Sequence, residues 1–446
     1  MASEATLTEH LTTTQRIVSL LDHLGFETAH VATQMPGDIV DLVATAGNRL
    51  GGVVLIVPTR LDAAAFAGVA DRLLMISGDK GLTVETTGRA AQRLSQAERY
   101  VLADYDAAGW SDVVADRATE VAQVVVEFLA RVATRSPRWM APASAPVAGE
   151  HAGLTWRLTG DGPPLLLLPF FLAPSQWQPA VSALARHFTV VEVGGPHVGG
   201  VAALEDRARA PSYRAMFRTL IELMAPEPGA RILDVGCGSG ALDRLAATLC
   251  PDARIVAADL NPFLLGEARA LAEKEGLGDR IGFVEGRATD LPFEDASFDC
   301  AFSITVLEEC DADRAIAELT RVVKPGGSVG VVVRAIDMPQ WWNLDVPPAL
   351  AAKASVPPQS VATGGVADRS LYARMRRAGL IELQAFPSLI TLDRPDGPIW
   401  RYREDAVLPQ LTPAEKEQWT TAANAAQAAG LLMQAHVMHA AVARKP

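Results

Sequence analysis

A glycine-rich turn and a more distant aspartate are the residues whose types and spacing best suit ligand chemistry. Gly236, Gly238 and Gly240 end the segment Ile232-Leu-Asp-Val-Gly-Cys-Gly-Ser-Gly240. A turn of this kind between a strand and a helix lets backbone N–H groups approach a ligand, and the helix N-terminus adds positive potential. Asp259 follows 19 residues after Gly240, where a carboxylate can accept hydrogen bonds from ribose hydroxyls. Together they predict a site for an adenosine-containing ligand, and the short glycine spacing disfavours NAD.

The elements that must position this turn alternate between strands and helices. The sequence predicts strands over 231–235, 255–258, 281–285, 298–303 and 328–334, and helices over 241–249, 262–275 and 311–323. Lys324-Pro-Gly-Gly327 is expected to end the third of these helices. Two further strands, 381–392 and 432–443, are expected to flank a helix over 413–429. This alternation predicts an α/β fold with an open, mostly parallel sheet.

Residues 212–446 resemble a class I S-adenosylmethionine (SAM)-dependent methyltransferase of the UbiE-like small-molecule group. The resemblance rests on the glycine turn, Asp259, Ala288-Thr-Asp-Leu-Pro-Phe293, Phe298-Asp299 and the stretch from Leu319 through Gly327. It implies a Rossmann-like sheet of seven strands whose last strand runs antiparallel. It also implies SAM as the cofactor and S-adenosylhomocysteine as the product.

The resemblance also implies which residues hold the cofactor. The glycine loop would hold its methionine portion and Asp259 its ribose, while the backbone around Ala288 would face the adenine. The remaining positions that it assigns to the cofactor site are Asp234, Leu260, Arg287 and Ile304. Arg287 stands where the family often has an acid that accepts from the adenine amino group, which an arginine cannot do.

Four side chains are candidates for the transfer chemistry. Glu308 and Glu309 follow the predicted fourth strand, where acceptors approach in this architecture, and either is alternatively a solvated helix start. His436 and His439 are three apart in the last strand and must face opposite sides, so one of them can face the pocket. His436 is the histidine that we assign to the site.

Aromatic residues suggest walls for the pocket. Trp341 and Trp342 lie in a proline-flanked loop and could line an acceptor site for a flat or apolar molecule, or form a packing patch. Tyr372 belongs to an insertion that could cap the acceptor. Tyr213 falls on a helix expected to lie over the cofactor, either touching its methionine end or serving a plain lid helix.

The first 205 residues form a separate predicted domain, with a Pro-rich linker near 135–146. Its strands, expected over 28–32, 52–57, 72–77 and 100–103, and a long helix expected over 115–132 resemble the second half of an α/β-hydrolase. Residues 151–200 resemble the first half, with a hairpin expected over 154–162. The two halves stand in swapped order, as in a circular permutation.

The residues of hydrolase chemistry are missing from this domain. The expected G-x-S-x-G elbow reads Ala32-Thr-Gln-Met-Pro36, which puts Gln34 at the nucleophile position. Asp104-Tyr-Asp106 stands where the family has its histidine. Without a nucleophile and base there is no triad. The sequence therefore predicts a lid or a dimerisation module for 1–205 and a methyltransferase domain for 206–446.

Composition and charge limit the partners. The net charge is −12, which disfavours nucleic acid as the main partner. No apolar run reaches the length of about 20 residues that spans a bilayer, and no secretory signal begins the sequence. The four cysteines fit no zinc pattern and indicate neither a metal site nor a disulfide framework, so a cytoplasmic protein is expected.

The sequence as a whole predicts transfer of a methyl group from SAM to a small organic acceptor by in-line displacement. Two alternatives stay open at this point. One is a SAM-binding enzyme that catalyses a different reaction, and the other is a catalytically silent SAM-binding scaffold. A homodimer is a reasonable assembly, because the first domain is apolar and has lost its hydrolase residues.

Overall fold

The chain forms two compact units, Met1–Ala202 and Ala203–Pro446. The computed structural model describes residues 11–107, 111–133, 147–195, 197–393, 395 and 398–446. The predicted domain boundary, between 205 and 206, falls three residues after the division between the units. The predicted linker at 135–146 lies outside the described residues.

The first unit contains eight described strands. They are β1 (Ala29–Thr33), β2 (Leu50–Ile56), β3 (Leu73–Lys80), β4 (Glu98–Asp106), β5 (Ala148–His151), β6 (Leu154–Thr159), β7 (Pro164–Leu167) and β8 (Thr189–Gly194). They pair in the order β4-β3-β2-β1-β7-β8-β6-β5. Strands β4, β3, β2, β1, β7 and β8, in that order across the sheet, are parallel to one another. Strand β6 is antiparallel to both of its neighbours, β8 and β5.

Helices cover both faces of this sheet. The α-helices are α1 (Thr13–His23), α2 (Val40–Ala46), α3 (Gly81–Arg93), α4 (Val113–Asp116), α5 (Ala118–Ala133) and α6 (Gln178–Leu184), and the 3₁₀ turns are Pro36–Asp38, Gly47–Arg49, Ala63–Arg72 and Pro174–Trp177. Every residue of β2 is buried, as expected for a strand covered on both faces. One apolar layer includes Leu20 and Leu42, and the other includes Leu129.

Two sequence predictions for this unit differ from the structure. The hairpin lies earlier than 154–162, because β6 pairs with β5 across a turn at Ala152 and Gly153, both of which have positive φ. The single helix expected over 115–132 is instead α4 followed by α5, because Arg117 leaves the helical conformation at φ −134° and ψ 36°.

The second unit contains nine strand segments in one sheet. They are β9 (Arg231–Val235), β10 (Arg254–Asp259), β11 (Ile281–Glu285), β12 (Phe298–Ile304), β13 (Val323–Arg334), β14 (Trp341–Trp342), β15 (Ile381–Ala385), β16 (Ser388–Leu392) and β17 (Gln434–Arg444). The main path runs β11-β10-β9-β12-β13-β17-β14, with β15 and β16 paired to β17. Strands β9 to β13 are parallel and β17 is antiparallel to β13.

The nine segments differ from the seven predicted strands for two local reasons. The strand expected over 381–392 is split into β15 and β16 around Pro387, which has no N–H for the ladder. The Phe386 N–H nevertheless donates to the Ala440 carbonyl at 2.8 Å, so both pieces follow β17. The dipeptide of β14 adds a short segment at Gln434 and Ala435.

The helix before Lys324-Pro-Gly-Gly327 ends at Val322, as predicted, but the strand after it begins earlier than residue 328. Strand β13 begins at Val323, and its register to β12 shifts between Phe298 and Cys300. Phe298 pairs with Val323, but Cys300 already pairs with Ser328, so the four intervening residues bulge out of the ladder.

Helices again cover both faces of the second sheet. They are α7 (Gly199–Arg209, which crosses the unit boundary), α8 (Pro211–Met224), α9 (Ala241–Leu249), α10 (Pro262–Lys274), α11 (Ala312–Val322), α12 (Pro348–Ala354), α13 (Ser370–Arg377), α14 (Pro398–Val407) and α15 (Pro413–Ala428), with a 3₁₀ turn at Leu408–Gln410. Helices α8, α9 and α10 supply one apolar layer, through residues such as Phe217 and Leu245. Helices α11 and α13 supply the opposite layer through Ile316 and Leu371.

Three helices and β14 form a separate small core beside the sheet. Trp342 packs edge-on against Trp400 and Trp419, each at 5.0 Å between ring centroids. Leu350 of α12 completes the cluster. This group, the tryptophan core, attaches α12, α14 and α15 to the end of β17.

Candidate active site

The glycine turn lies at the carboxyl edge of the second sheet, where β9, β10, β12 and β13 end. Gly236, Gly238 and Gly240 have φ values of 82°, 58° and 70°, all in the left-handed region that favours glycine. A Cβ on Gly236 would stand 2.1 Å from Cγ2 of Val306, and one on Gly238 would stand 2.9 Å from Leu204 Cδ1. Both the backbone conformation and the space therefore require glycine here.

Asp259 is fixed at the end of β10 by two backbone donors. Gly238 N–H donates to Oδ2 at 2.9 Å, and Asn261 N–H donates to Oδ1 at 3.0 Å. Burial raises the pKa of the Asp259 carboxyl. The next residue, Leu260, keeps an apolar side chain 45 % exposed. The carboxylate is thus tied to the glycine turn beside an exposed apolar surface.

Two further acids are buried beneath the turn. No donor of the described residues reaches either carboxylate oxygen of Asp243, in the first turn of α9. Burial raises the pKa of Asp243 to about 7, and burial together with Asp243 raises the pKa of Asp234 well above its usual value. Arg244 lowers the pKa of Asp243 only in part, and neither acid forms an ion pair within the described residues, so a positively charged ligand group at the turn could compensate them.

Helix α7 packs directly on the turn through a buried ion pair. The Arg244 guanidinium donates to Glu205 Oε2 at 2.6 Å and to Glu275 Oε1 at 2.8 Å. The Ser239 hydroxyl donates to Glu205 Oε1 at 2.6 Å. With Leu204 against Gly238, this network holds the end of α7 over the glycine turn.

Tyr213 and Arg207 lie beside the turn at the end of β12. Arg207 stacks over the Tyr213 ring, with 5.1 Å from its Cζ to the ring centroid, and donates to Thr305 Oγ1 at 3.0 Å. Thr305 has a φ of 58°, a strained conformation for a β-branched residue. The buried Tyr213 hydroxyl has no hydrogen-bond partner among the described residues. Strain and an orphaned polar atom at one point are typical of a functional site.

Glu308 and Glu309 point in different directions. The Oε1 atom of Glu308 accepts from Arg334 N–H at 2.7 Å, whereas its Oε2 is buried without a partner. Burial raises the pKa of Glu308 to about 7. Glu309 is half-exposed and lies 3.5 Å from the Arg334 guanidinium. Of these two glutamates, only Glu308 is therefore buried.

His436 and His439 lie on opposite faces of β17, as their spacing requires. Gln434 Nε2 donates to the Ala435 carbonyl, which turns Gln434 Oε1 toward His436 Nδ1 at 3.0 Å. This arrangement assigns the proton to Nδ1 and leaves Nε2 as an acceptor. Burial, Arg403 and Arg207 keep the pKa of His436 well below its usual value, so the ring is neutral at pH 7.

His439 belongs to a hydrogen-bonded chain on the other face. Its Nε2 lies 2.7 Å from Asp337 Oδ1, and its Nδ1 lies 2.9 Å from the Tyr372 hydroxyl. This chain ties α13 to β17 and to the loop after β13. Tyr372, expected in the acceptor pocket, thus lies on the opposite face from Tyr213 and His436.

The remaining candidates are scattered. Trp342 is in the tryptophan core and donates to the Ala354 carbonyl at 3.0 Å, while Trp341 is 52 % exposed. Ile304 is buried in the layer below α8. Arg287 is exposed and forms a backbone bridge to Asp290, and Ala288 is half-buried behind it.

Comparisons with known proteins fall on this second unit. A family model described as "Methyltransferase domain" matches residues 233–331, which include the glycine turn, Asp259 and Glu308. A UbiE ubiquinone/menaquinone biosynthesis C-methyltransferase of Brucella anthropi is 38 % identical over 128 residues, or 28 % of this chain and 49 % of the relative. The sterol 24-C-methyltransferase ERG6B of Gibberella zeae is 38 % identical over 106 residues, or 24 % of this chain and 28 % of the relative.

The second unit is a class I SAM-dependent methyltransferase domain. The chain spans about half or less of the length of the curated relatives it matches. Among solved structures, the [4+2]-cyclase SpnF is 24 % identical, with 52 % of this chain and 81 % of that chain covered and a TM-score of 0.34. A geranyl diphosphate methyltransferase in complex with SAM is 17 % identical, with 54 % and 90 % covered and a TM-score of 0.34.

The residues of the methyltransferase domain fit its cofactor. The glycines of the turn have left-handed backbone conformations and neighbours too close for a Cβ, which keeps backbone N–H groups open to a ligand, and Asp243 is a buried acid without a hydrogen bond of good geometry among the described residues. In the part of the chain that the structure describes, no cluster of side chains could hold a metal ion, and no helix is long and apolar enough to cross a membrane.

Sequence reasoning missed four residues of this edge. Leu204, Glu205, Arg207 and Arg403 come from helices that are distant in sequence and belong to no motif. The pairing of Glu205 with Arg244 depends on the chain returning over the turn, which no local pattern reports. Only the position of α7 immediately before the amphipathic α8 could have suggested a contact with the turn.

Proposed function

We propose that this protein transfers a methyl group from SAM to a small organic acceptor by in-line displacement. The observation that carries the proposal is Asp259, held by the Gly238 N–H at the carboxyl edge of a methyltransferase domain. The domain's named relatives are C-methyltransferases. When bound, SAM supplies an electrophilic methyl on a sulfonium.

The residues that would hold the cofactor surround the glycine turn. Asp259 has carboxylate lone pairs for the ribose hydroxyls, and the exposed Leu260 offers an apolar surface for the adenine. The acids Asp234 and Asp243 would favour the cationic methionine end. Arg287 faces solvent, so the adenine edge would be met by the backbone near Ala288.

His436 is the residue that we propose as the base. Its Nδ1 proton is turned toward Gln434, which leaves Nε2 to accept a proton from the acceptor's nucleophilic atom. Its low pKa makes it a weak base, but an anionic acceptor beside it would raise that pKa. Nε2 would take up the proton that the nucleophilic atom releases as the methyl group passes to that atom from the sulfur.

Helix α7 and Tyr213 are proposed to exclude water. Leu204 lies against the glycine turn and Tyr213 is almost completely buried beside it. A closed, dry edge aligns the acceptor with the methyl group and prevents hydrolysis. Trp341, Trp342 and Tyr372 have no part in this proposal.

The first unit is proposed to be an α/β-hydrolase-like domain in permuted order. In support, the strands assigned to the second half of that fold, β1–β4, lie on one side of the sheet, and those assigned to its first half, β5–β8, lie on the other. The two halves meet where β1 pairs with β7. Gln34, at the position of the nucleophile, accepts a hydrogen bond from Phe171 N–H at 2.9 Å.

A lid or dimerisation module is the role that we propose for this unit. Sedimentation velocity of the full chain distinguishes the two, since a dimerisation module requires a dimer at micromolar concentration. A protein that stays monomeric at high concentration would exclude the dimerisation role and favour the lid role.

Thermal unfolding with S-adenosylhomocysteine tests the proposed cofactor. At about 100-fold above its dissociation constant, the ligand should stabilise the protein by about 2.7 kcal/mol, a shift of about 5–10 °C in a unit of this size. D259N should lose most of the shift because an amide keeps only one acceptor oxygen. The control D252N changes an exposed aspartate and should keep the full shift.

Product analysis then distinguishes the reaction from its alternatives. S-adenosylhomocysteine released in step with a methylated acceptor supports methyl transfer. A different cofactor product would favour another SAM-dependent reaction. Cofactor binding without turnover in any acceptor screen would favour a scaffold.

A further inference from the structure

Arg403 of α14 lines a shallow pocket at the carboxyl edge of the second sheet. Its lining includes Arg334, His436, Pro357 and Met338. The space enclosed here holds about one water-sized group, so the pocket takes the end of a ligand and not a whole molecule.

Arg403 is buried without an acidic partner. It is 5 % exposed, its Nη1 donates to the neutral Gln340 Oε1 at 3.1 Å, and its Nε has no partner. No carboxylate of the described residues lies within ion-pair distance of it. Arg244, the other strongly buried arginine of this edge, pairs with both Glu205 and Glu275.

The charged groups nearest to Arg403 include further cations. Burial and the Arg334 guanidinium lower the pKa of Arg403 to about 9, although Tyr402 partly opposes them. Arg334 is itself matched by Glu308 and Glu309. His436 lies within electrostatic reach of both Arg403 and Arg207.

A buried guanidinium without a counter-charge is costly unless something compensates it. Gln340 cannot do so, because its own amide donates to the carbonyls of Ala354 and Val356 and offers Arg403 only one neutral oxygen. The Nε and Nη2 edge of the guanidinium remains for a ligand. That edge matches the two oxygens of a carboxylate or phosphate.

We propose that the methyl acceptor carries an oxyanionic group, a carboxylate or a phosphate, which Arg403 binds in this pocket beside His436. The assignment rests on the proposed methyl transfer, since it places the acceptor's anion next to the proposed base. Arg403 is then a specificity-determining residue. The bound anion orients the acceptor and supplies the counter-charge that the protein omits.

The test uses three phenyl probes of similar size: benzoate, phenyl phosphate and the neutral benzamide. Their binding to the full-length protein is measured by isothermal titration calorimetry, with and without saturating S-adenosylhomocysteine. Benzoate or phenyl phosphate should bind and benzamide should not. The tighter of the two anions identifies the carboxylate or the phosphate as the source.

Variants of Arg403 give the decisive comparison. R403M should weaken binding of the preferred anion by about 10- to 100-fold, the usual loss of a charge-assisted hydrogen bond. R403K should recover part of the affinity, since it restores the charge without the fork. R218M removes an exposed arginine of α8 and should leave binding unchanged.

Thermal unfolding without ligand separates this role from a structural one. R403M should melt at or above the wild-type temperature, because it removes a buried cation that no carboxylate compensates. Absence of anion binding, or anion binding that R403M leaves intact, overturns the proposal. Anion binding without any binding of S-adenosylhomocysteine would instead refute the proposed function and leave the anion site standing.

Discussion

Replacing Glu205 by glutamine tests whether charge holds α7 on the glycine turn. The Glu205 and Arg244 side chains are 10 % and 6 % exposed, and their atoms meet at 2.6 Å. Removing one partner of a buried ion pair costs about 3–5 kcal/mol. Arg244 retains Glu275 at 2.8 Å, and the glutamine retains one acceptor oxygen, so we expect the lower limit of about 3 kcal/mol.

This loss is measurable as a change in melting temperature. For a unit of about this size, 1 kcal/mol corresponds to roughly 2–4 °C, so E205Q should melt about 6–12 °C below the wild type. The free energy of unfolding from urea titration provides a second measure. Because Glu205 also accepts from Ser239 in the turn, E205Q should weaken S-adenosylhomocysteine binding as well.

The matched control is E275Q, which removes the second partner of the same arginine. Glu275 is 51 % exposed, so its pair with Arg244 contributes about 1 kcal/mol or less. Equal losses for E205Q and E275Q would refute the reasoning, because burial would then not distinguish the two pairs. A destabilised E205Q with unchanged cofactor affinity would refute the link between α7 and the turn.

Three further predictions concern single residues. G236A should abolish S-adenosylhomocysteine binding in calorimetry, because the new Cβ would meet Val306 at 2.1 Å; unchanged affinity would contradict the cradle. The pKa of Glu308 rises from 4.5 to about 7 on folding, so the native state binds more protons than the unfolded state between these values and stability falls as pH rises through them. E308Q should therefore gain stability over the wild type by up to about 3 kcal/mol above pH 7 and little below pH 4.5, and parallel urea-unfolding profiles would disprove this. Y372F should lose about 1 kcal/mol of stability with its bond to His439 but keep wild-type kcat and KM, and a raised KM would return Tyr372 to the acceptor site.

The elements of both units were largely predictable because their signals are local. The strand that ends at Val235 is a short apolar run, and the three glycines that follow it within five residues indicate the turn. Helix α11 begins after Asp311, whose side chain caps Arg314 N–H at 3.1 Å, so composition at one position marks the boundary. Such features depend on neighbours in the sequence, so they can be recognised without knowledge of the fold.

The errors arose where tertiary pairing overrides local preference. Lys324–Gly327 has the composition of a turn, yet pairing on both sides draws it into β13 as a bulge. Trp341 and Trp342 are adjacent, but strand alternation separates them, so that one is exposed and the other lies in the tryptophan core. The contacts of Glu205, Arg207 and Arg403 depend on three-dimensional neighbours, so no spacing rule could place them at the site.

Two buried glutamines of the first sheet and the buried acids and arginine of the second differ in how far internal hydrogen bonds satisfy them. At the edge of the first sheet, Gln34 accepts from Phe171 N–H, and Gln176 accepts from the N–H groups of Leu172 and Ala173 while donating to Asp112. Internal hydrogen bonds therefore occupy these groups, which leaves a ligand little to compensate.

The edge of the second sheet has the opposite character. Asp243, Glu308 and Tyr213 all carry buried oxygen atoms without a partner among the described residues, and Arg403 carries a buried nitrogen of the same kind. Each such group costs free energy of about 1–3 kcal/mol in the free protein. Their concentration at one edge, with both signs of charge, is understandable if bound molecules provide the missing partners: a cation near Asp243 and an anion near Arg403. The fold then keeps its unpaired charges where ligands of opposite charge would stabilise it.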